Sequence, residues 1–239
     1  YLDIANARGC EIKYIFQTHF HADFVSGHIT LSKKTNAPIV YGPNANPDYK
    51  CIIASDGDFF ELGKIKIKVL HTPGHTLESC SYLLYNEENE AHAIFTGDTL
   101  FLGDVGIPDV AQRYKDTTKE ELASILYDSI NSKIKPLGDN LIVYPGHGAG
   151  SACGKKMMKE TVDTLKNQKA NNYALNGELS KDDFIRELTE NLPEPPAYFP
   201  SNVKLNQKGY QDFENVLEKS LTKISSEELK ELIKNPQII

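Results

Sequence analysis

The chain has 239 residues, of which 40% are hydrophobic, and a formal net charge of -7. This length and composition suit a globular protein with a substantial core, arranged as one large domain or two modest ones. The acidic balance disfavours nucleic acid and anionic membranes as partners, because both need clustered basic residues. No apolar run is long enough to cross a bilayer and no secretory leader opens the chain, so we expect a cytoplasmic protein.

The cysteines support a reducing compartment. They lie far apart in the sequence and form no C-x-x-C pair. This spacing favours free thiols over a disulfide framework. The four residues are Cys10, Cys51, Cys80 and Cys153.

The N-terminal part of the chain is predicted to alternate helices and short strands. Residues 2–8 have the pattern of the last turns of a helix that ends before a glycine, and residues 11–17 predict a strand rich in Ile, Tyr and Phe. Helical spacing follows at 25–34, and a short strand is expected at 38–41. This order places a helix between two strands.

The middle of the chain is predicted to be mainly strands. Residues 65–69 alternate Ile and Val with Lys, which predicts a strand with one buried face. Residues 79–85 and 91–95 predict two further strands, joined by an acidic turn. Two sheets covered by helices are the layered arrangement that accommodates these elements.

The C-terminal part is predicted to be mainly helical. A capping box formed by Thr117 and Glu120 predicts the start of a helix that runs to residue 130. A last strand is expected at 141–144, and helices are expected at 155–169 and 181–191.

Side chains of metal-ligand type cluster at the ends of the predicted strands. Two histidines and an aspartate come directly after the strand 11–17, and three further such residues each lie beside a glycine after a later strand. These residues are His19, His21, Asp23, His75, Asp98 and His147. A lone histidine is usually a surface or core group, but this clustering favours a site for a divalent transition metal. His71 and Asp104 are weaker candidates. We expect His71 to lie outside the ligands, near the site, and Asp104 to make hydrogen bonds that hold a turn.

Four phrases carry a family resemblance. They are T-H-x-H-A-D-F-V-S-G-H at 18–28, T-P-G-H-T at 72–76, F-T-G-D-T-L-F at 95–101 and Y-P-G-H-G-A-G-S-x-C-G at 144–154. With them the chain resembles the metallo-β-lactamase superfamily, and within it the persulfide dioxygenases, especially bacterial ones fused to rhodanese domains. The resemblance implies an α/β (α+β) fold, a four-layer αββα sandwich with a C-terminal helical region.

The same resemblance implies a domain organisation. Residues 1–200 would form the metallo-β-lactamase-like domain, and residues 201–239 a linker or tail leading towards a rhodanese domain. The strands that precede the histidine motif in the superfamily are absent from this sequence. We therefore expect an N-terminally truncated fragment of a longer protein.

One departure from the superfamily motif bears on the metal. The motif H-x-H-x-D-H ends in a histidine that two-zinc hydrolases use on the second metal, and this chain has Phe24 there. The departure favours one metal ion. In persulfide dioxygenases two histidines and one aspartate hold iron(II), which by resemblance gives His19, His75 and Asp98 as ligands, with zinc as the alternative ion.

The remaining candidates receive supporting roles from the resemblance. His21, Asp23 and His147 would orient the ligands and bound water through hydrogen bonds. Cys153 would accept persulfide sulfur, the alternative being a free thiol buried as a small apolar group.

The implied reaction is that of a persulfide dioxygenase, an oxidoreductase. It oxidises a low-molecular-weight thiol persulfide, such as that of glutathione or coenzyme A, with O2 to give sulfite and the thiol. Two alternatives stay open: a zinc-dependent thioester hydrolase of the hydroxyacylglutathione type, and a catalytically weakened sulfur-relay module. A homodimer and a rhodanese domain or partner also stay open.

A second departure concerns a loop after Asp98. Persulfide dioxygenases carry a Gly-Arg-x-Asp phrase there, whereas this chain has Ile107 in the place of the arginine and Asp109 at its end. The change predicts altered thiol preference or weaker turnover, with Arg113 as a nearby substitute cation.

Overall fold

Two β-sheets and the helices beside them make up the fold. The structure, a computed structural model, describes residues 1–108, 114–221 and 223–235. It divides into two compact units, Tyr1–Gly209 and Tyr210–Ile239. The division predicted after residue 200 stays a prediction, as does truncation at the N-terminus.

The first sheet is small and parallel. Its strands are β1 (Ile15–Phe16), β2 (Ile39–Tyr41) and β3 (Ile52–Ile53), in that order. A parallel pair needs a crossover connection, and helix α2 (His28–Thr35) provides it between β1 and β2. Helix α1 (Leu2–Ala7) precedes the sheet.

The second sheet has six strands among the described residues. In sheet order they are β4 (Phe59–Leu62), β5 (Ile65–His71), β6 (Cys80–Tyr85), β7 (Ala91–Gly97), β8 (Ile142–Pro145) and β9 (Asp163–Thr164). Strands β4 to β7 form an antiparallel meander, β8 is parallel to β7, and β9 is antiparallel to β8. The crossover from β7 to β8 contains helix α3 (Lys119–Ser129) and a π-helical segment (Ile130–Ile134).

Three helices complete the first unit. They are α4 (Leu165–Asn171), α5 (Lys181–Thr189) and α6 (Phe199–Lys208). Thr164 and Ser180 cap the first two of these, since each side chain accepts a hydrogen bond from a main-chain N–H three residues later. Helix α5 packs against α3.

The second unit contains helices α7 (Phe213–Ser220) and α8 (Ser226–Leu232). The side chain and main chain of Ser225 form a capping box with Glu228 at the start of α8. Among the residues that the structure describes, no helix combines the length and the apolar character that crossing a membrane requires. Cytoplasmic localisation stays a prediction.

The two sheets share a hydrophobic cluster. Val40 of β2 and Val69 of β5 are fully buried in it, together with Cys80 and Tyr82 of β6. Burying one such aliphatic side chain contributes about 1.5–3 kcal/mol. The strand ends that carry the candidate ligands are therefore fixed to a packed core.

The predicted α/β class is confirmed, with specific differences. Only Ile15–Phe16 of the predicted strand 11–17 pairs with a neighbour. The helix predicted at 155–169 begins only at Leu165, because the main-chain N–H groups of Lys155 and Lys156 instead donate to the Asp104 carboxylate.

The predicted capping box is also one residue out of place. The side chain of Thr118, not Thr117, accepts from the Glu121 N–H, and the Glu121 carboxylate accepts from the Thr118 N–H. The sequence Thr-Thr-Lys-Glu-Glu allows either register.

Candidate metal centre

Sheet topology brings the candidate ligands to one edge. Strands β5 and β7 are both antiparallel to β6, and β8 is parallel to β7, so the C-terminal ends of β5, β7 and β8 share an edge. His75, Asp98 and His147 follow those three ends. The Cys80 N–H donates to the Thr18 carbonyl at 3.0 Å, which ties the histidine motif after β1 to the same edge.

The first donor group consists of His19, His75 and Asp98. All three side chains are buried, and one ligand atom from each lies within 4.8 Å of the others. Asp98 Oδ2 is 3.5 Å from His75 Nε2 and 3.8 Å from His19 Nε2. The predicted ligand set is thus assembled in space; its role as ligands is a proposal.

Hydrogen bonds fix the orientation of the two imidazoles. His75 Nδ1 lies 2.6 Å from the carbonyl oxygen of Ile107. Because a carbonyl only accepts, Nδ1 carries the proton and the lone pair of Nε2 faces Asp98. His19 Nδ1 lies 3.0 Å from Thr18 Oγ1, which leaves its Nε2 on the same side. This arrangement is typical of metal-binding histidines.

The second donor group consists of His21, Asp23 and His147. Their ligand atoms also lie within 4.8 Å of one another, and their side chains are partly exposed. His147 Nε2 is 3.4 Å from Asp23 Oδ2 and 3.3 Å from Asp98 Oδ2. Asp98 therefore lies between the two groups.

Electrostatics place these side chains in the protonation states that metals require. Burial alone would raise the pKa of Asp98, but the neighbouring His19, His147 and His75 outweigh it and hold that pKa well below its usual range. Burial lowers the pKa of His21, against the opposing effect of Asp98. Asp98 is thus an anion and His21 is neutral at pH 7.

The pKa of His147 shifts in the opposite direction. Burial lowers it, but the adjacent carboxylates of Asp98 and Asp23 more than compensate, so the pKa is raised. His147 is accordingly the ring of the second group that gains a proton most readily.

Several buried polar atoms of the site lack a hydrogen-bond partner. Among the described residues these atoms are His21 Nδ1, Asp23 Oδ1, His147 Nε2 and both carboxylate oxygens of Asp98. His147 Nε2 is close to Asp98 Oδ2, but the two are not aligned as a hydrogen bond. Buried polar atoms are normally paired. Two donors bound tetrahedrally at about 2.0–2.1 Å would stand roughly 3.3 Å apart, so the imidazole and carboxylate set fits a divalent metal such as zinc or iron.

Two glycines allow the backbone to approach Asp98. A Cβ atom on Gly146 would collide with Asp98 Oδ1, and one on Gly106 would collide with the Asp98 carbonyl oxygen. The glycine before His147 thus permits the close approach of β8 to the carboxylate. Position 107 contributes mainly through its backbone, since the Ile107 side chain is buried and its carbonyl holds His75.

Cys153 lies against both donor groups. Its sulfur, an Asp98 oxygen and a His147 nitrogen are within 4.8 Å of one another, and the residue is 1% exposed. Burial, then Asp98 and Asp23, raise the pKa of the thiol. The neutral thiol is therefore the stable form, and the role of sulfur acceptor stays a prediction.

Two further candidates have structural partners. His71 Nε2 lies 3.0 Å from the Leu77 carbonyl, outside both donor groups. Asp104 is fully buried and accepts hydrogen bonds from main-chain N–H groups and the Tyr173 hydroxyl. Asp109 and Arg113 lie outside the described residues.

The motif analysis missed residues that support the histidine loop. Glu78 is buried, and its carboxylate accepts hydrogen bonds from the Phe20 N–H and the Tyr114 hydroxyl. Asn206 donates to two carbonyls of the loop. Neither residue belongs to a ligand motif. The only sequence signal is the spacing of Asn202 and Asn206, which are four positions apart and therefore lie on one face of a helix.

Known structures identify the family. The chain aligns with a metallo-β-lactamase from Staphylococcus aureus subsp. aureus COL at 35% identity, with a TM-score of 0.80, over 88% of this chain and 62% of that one. It aligns with the protein named ETHE1 from Myxococcus xanthus at 30% identity, with a TM-score of 0.69, over 86% of this chain and 82% of that one. The chain belongs to the metallo-β-lactamase superfamily. The superfamily fold predicted from sequence is thereby confirmed, and no family model matches the chain.

Curated relatives correct the predicted activity. A protein of Schizosaccharomyces pombe, named probable hydroxyacylglutathione hydrolase, is 31% identical over 137 residues, which are 57% of this chain and 48% of that protein. Relatives from Dictyostelium, Pelagibacter and Arabidopsis also carry the name hydroxyacylglutathione hydrolase. The chain spans about half the length of the curated relatives it matches. The prediction of a persulfide dioxygenase, an oxidoreductase, is wrong because these relatives are named as hydrolases.

Phe24 changes the motif without emptying its surroundings of donors, and the prediction of a single metal ion stays a prediction. The phenyl ring removes one donor, but ligand atoms of His21, Asp23 and His147 still lie within 4.8 Å of one another. Phe24 is 43% exposed and its ring packs against His21 in a tilted arrangement, with ring centroids 4.4 Å apart. Losing one histidine from the motif therefore does not abolish the second donor group.

Proposed function

We propose that this chain carries the metal centre of a hydrolase that cleaves hydroxyacyl thioesters of glutathione. The observation that carries the proposal is Asp98, whose carboxylate lies between two groups of imidazole and carboxylate donors. The names of the curated relatives support this substrate class.

Zinc is the proposed ion, with His19, His75 and Asp98 as one set of ligands. His21, Asp23 and His147 form the second set, with Asp98 shared between them. Zinc bound there would polarise the thioester carbonyl and lower the pKa of water.

The residues themselves have separate tasks in the proposed reaction. The Ile107 carbonyl and Thr18 hydroxyl keep the imidazoles of His75 and His19 oriented. Asp23 Oδ1 has no partner among the described residues, so it can hold the attacking water and accept its proton.

The proposed hydrolysis adds one water molecule across the C–S bond of the thioester. The water oxygen adds to the thioester carbonyl carbon, the C–S bond breaks, and the proton from water goes to the departing sulfur. The products are a hydroxy acid and free glutathione. Asp23, which accepts this proton from the water, delivers it to the sulfur.

The proposal is tested by incubating the zinc-loaded chain with a hydroxyacyl thioester of glutathione and measuring thiol release. Asp23→Asn should lower kcat by about 10²- to 10⁴-fold, the usual contribution of a general base. The exposed His92 on β7 offers a control, since His92→Asn leaves both donor groups intact.

Two results would overturn the proposal. One is a folded, zinc-loaded chain that releases no thiol from any hydroxyacyl thioester of glutathione. The other is oxygen consumption with a thiol persulfide by a protein that leaves thioesters intact.

A further inference from the structure

Asn206 of helix α6 is bonded to the loop that carries His21. Its side-chain Nδ2 donates to the carbonyl oxygens of His21 and Phe24, each at 2.8 Å. Its Oδ1 accepts from the Ser26 N–H at 2.9 Å. Asn206 is 1% exposed. Both hydrogens of Nδ2 and an acceptor site on Oδ1 are therefore committed to one loop.

A second asparagine adds to this contact. Asn202 lies one helical turn earlier on α6, and its Nδ2 donates to the Ala22 carbonyl at 3.0 Å. Residues four apart lie on the same face of a helix. The two carboxamides thus face the loop together.

The loop needs such partners because it has no regular structure. Residues 20–26 form neither helix nor strand, so their main-chain groups are not paired by a ladder. Buried main-chain groups that stay unpaired are costly. Asn206 and Asn202 supply the hydrogen bonds that a neighbouring strand would otherwise make.

Helix α6 is itself held firmly. Phe199 and Val203 are buried, and the main-chain carbonyl of Asn206 accepts from the Tyr49 hydroxyl at 2.8 Å. That hydroxyl also lies 2.6 Å from His28 Nε2. The asparagines are therefore presented from a fixed support.

The two donor groups differ in their dependence on α6. His19 is oriented through Thr18, and the adjoining Phe20 N–H donates to Glu78, which does not belong to α6. The bonds from Asn206 and Asn202 begin only at His21. The contact with α6 thus acts on the second group and not on the first.

We propose that Asn206, assisted by Asn202, is a positioning residue for the second donor group, so that α6 determines whether the centre holds one metal ion or two. The inference rests on the proposed function in that the second ion belongs to the hydrolytic centre.

The test is a metal titration of the apoprotein. Zinc affinity is measured by calorimetry, and cobalt(II) is added in parallel because its visible absorption reports each occupied site. Wild type should bind two equivalents. Asn206→Ala should weaken the second equivalent by about 10- to 100-fold, the usual effect of removing a group that orients ligands, and leave the first unchanged.

Matched variants control for helix damage. Gln207→Ala alters the next residue of α6, whose side chain bonds to Asn46 away from the metal loop, and it should titrate like wild type. Asn202→Ala removes a single bond and should have a smaller effect than Asn206→Ala. Should Asn206→Ala not fold, Asn206→Asp is the substitute, because it keeps the acceptor for Ser26 and loses both donors.

The outcomes separate this inference from the proposed function. Folded Asn206 variants that bind both equivalents like wild type would overturn it, as would equal weakening of both equivalents or a wild type that binds one ion. A wild type that binds two ions but cleaves no thioester would refute the function and leave the inference standing.

Discussion

Replacing Asp98 by asparagine tests the centre most directly. The change removes a negative charge and keeps the side-chain volume. Asp98 Oδ2 lies 3.3, 3.5 and 3.8 Å from Nε2 of His147, His75 and His19, so one oxygen faces both donor groups. The expected result is loss of metal binding in a chain that still folds.

The size of the effect follows from burial. Removing one partner from a buried charged set costs about 3–5 kcal/mol, which raises a zinc Kd by about 10²- to 10⁴-fold. Zinc at 100 times its Kd stabilises wild type by about 2.7 kcal/mol. For a unit of this size that is a gain of roughly 5–10 °C in Tm, against about 1 °C in Asp98→Asn at the same zinc concentration.

Thermal unfolding with and without zinc provides the assay. His92→Asn, a substitution at an exposed position of β7, the strand that precedes Asp98, should keep the full gain in Tm. A gain in Asp98→Asn equal to that of wild type would refute the argument that this carboxylate joins the two donor groups.

Three further predictions concern the surroundings of the centre. Gly146→Ala should reduce zinc affinity at least tenfold in calorimetry, because its Cβ would meet Asp98 Oδ1, whereas Gly148→Ala, with open space around it, should not. Burial lowers the pKa of His28 to about 4, so the free energy of unfolding is highest above pH 6.5 and falls as the pH drops towards 4. Urea unfolding should show a decrease of about 3 kcal/mol in wild type over this range and a smaller decrease in His28→Gln. Cys153 should react with a disulfide reagent at neutral pH more slowly than the exposed Cys10, because it is buried and its pKa is raised; equal rates in single-cysteine variants would contradict this.

Local sequence patterns predicted strands and candidate ligands because both depend on neighbouring residues. The alternation at 65–69 marks the buried face of β5, and the glycine before His147 marks the close approach of β8 to Asp98. Such features depend on a few consecutive residues. They could therefore be predicted without the structure.

Other features depend on contacts between distant segments and could not be predicted. Lys155 and Lys156 lie in a helical pattern, yet a carboxylate about 50 positions earlier binds their N–H groups and keeps them out of the helix. Residues 201–208 are polar, and their pattern does not show that they form most of α6 or that Asn206 is buried. Phe24 likewise shows only that one donor is missing from the motif; that His21, Asp23 and His147 come together depends on segments more than 120 positions apart.

The contact between Asn206 and the loop of His21 also fixes when the centre can form during synthesis. The Ser26 N–H and Asn206 Oδ1 are separated by 180 positions in the chain. At about 5–20 residues per second, a ribosome takes roughly 10–40 s to travel between them. During that interval the loop of His21 exists without the helix that holds it. If Asn206 has the proposed positioning role, the second donor group is complete only after α6 has emerged and docked.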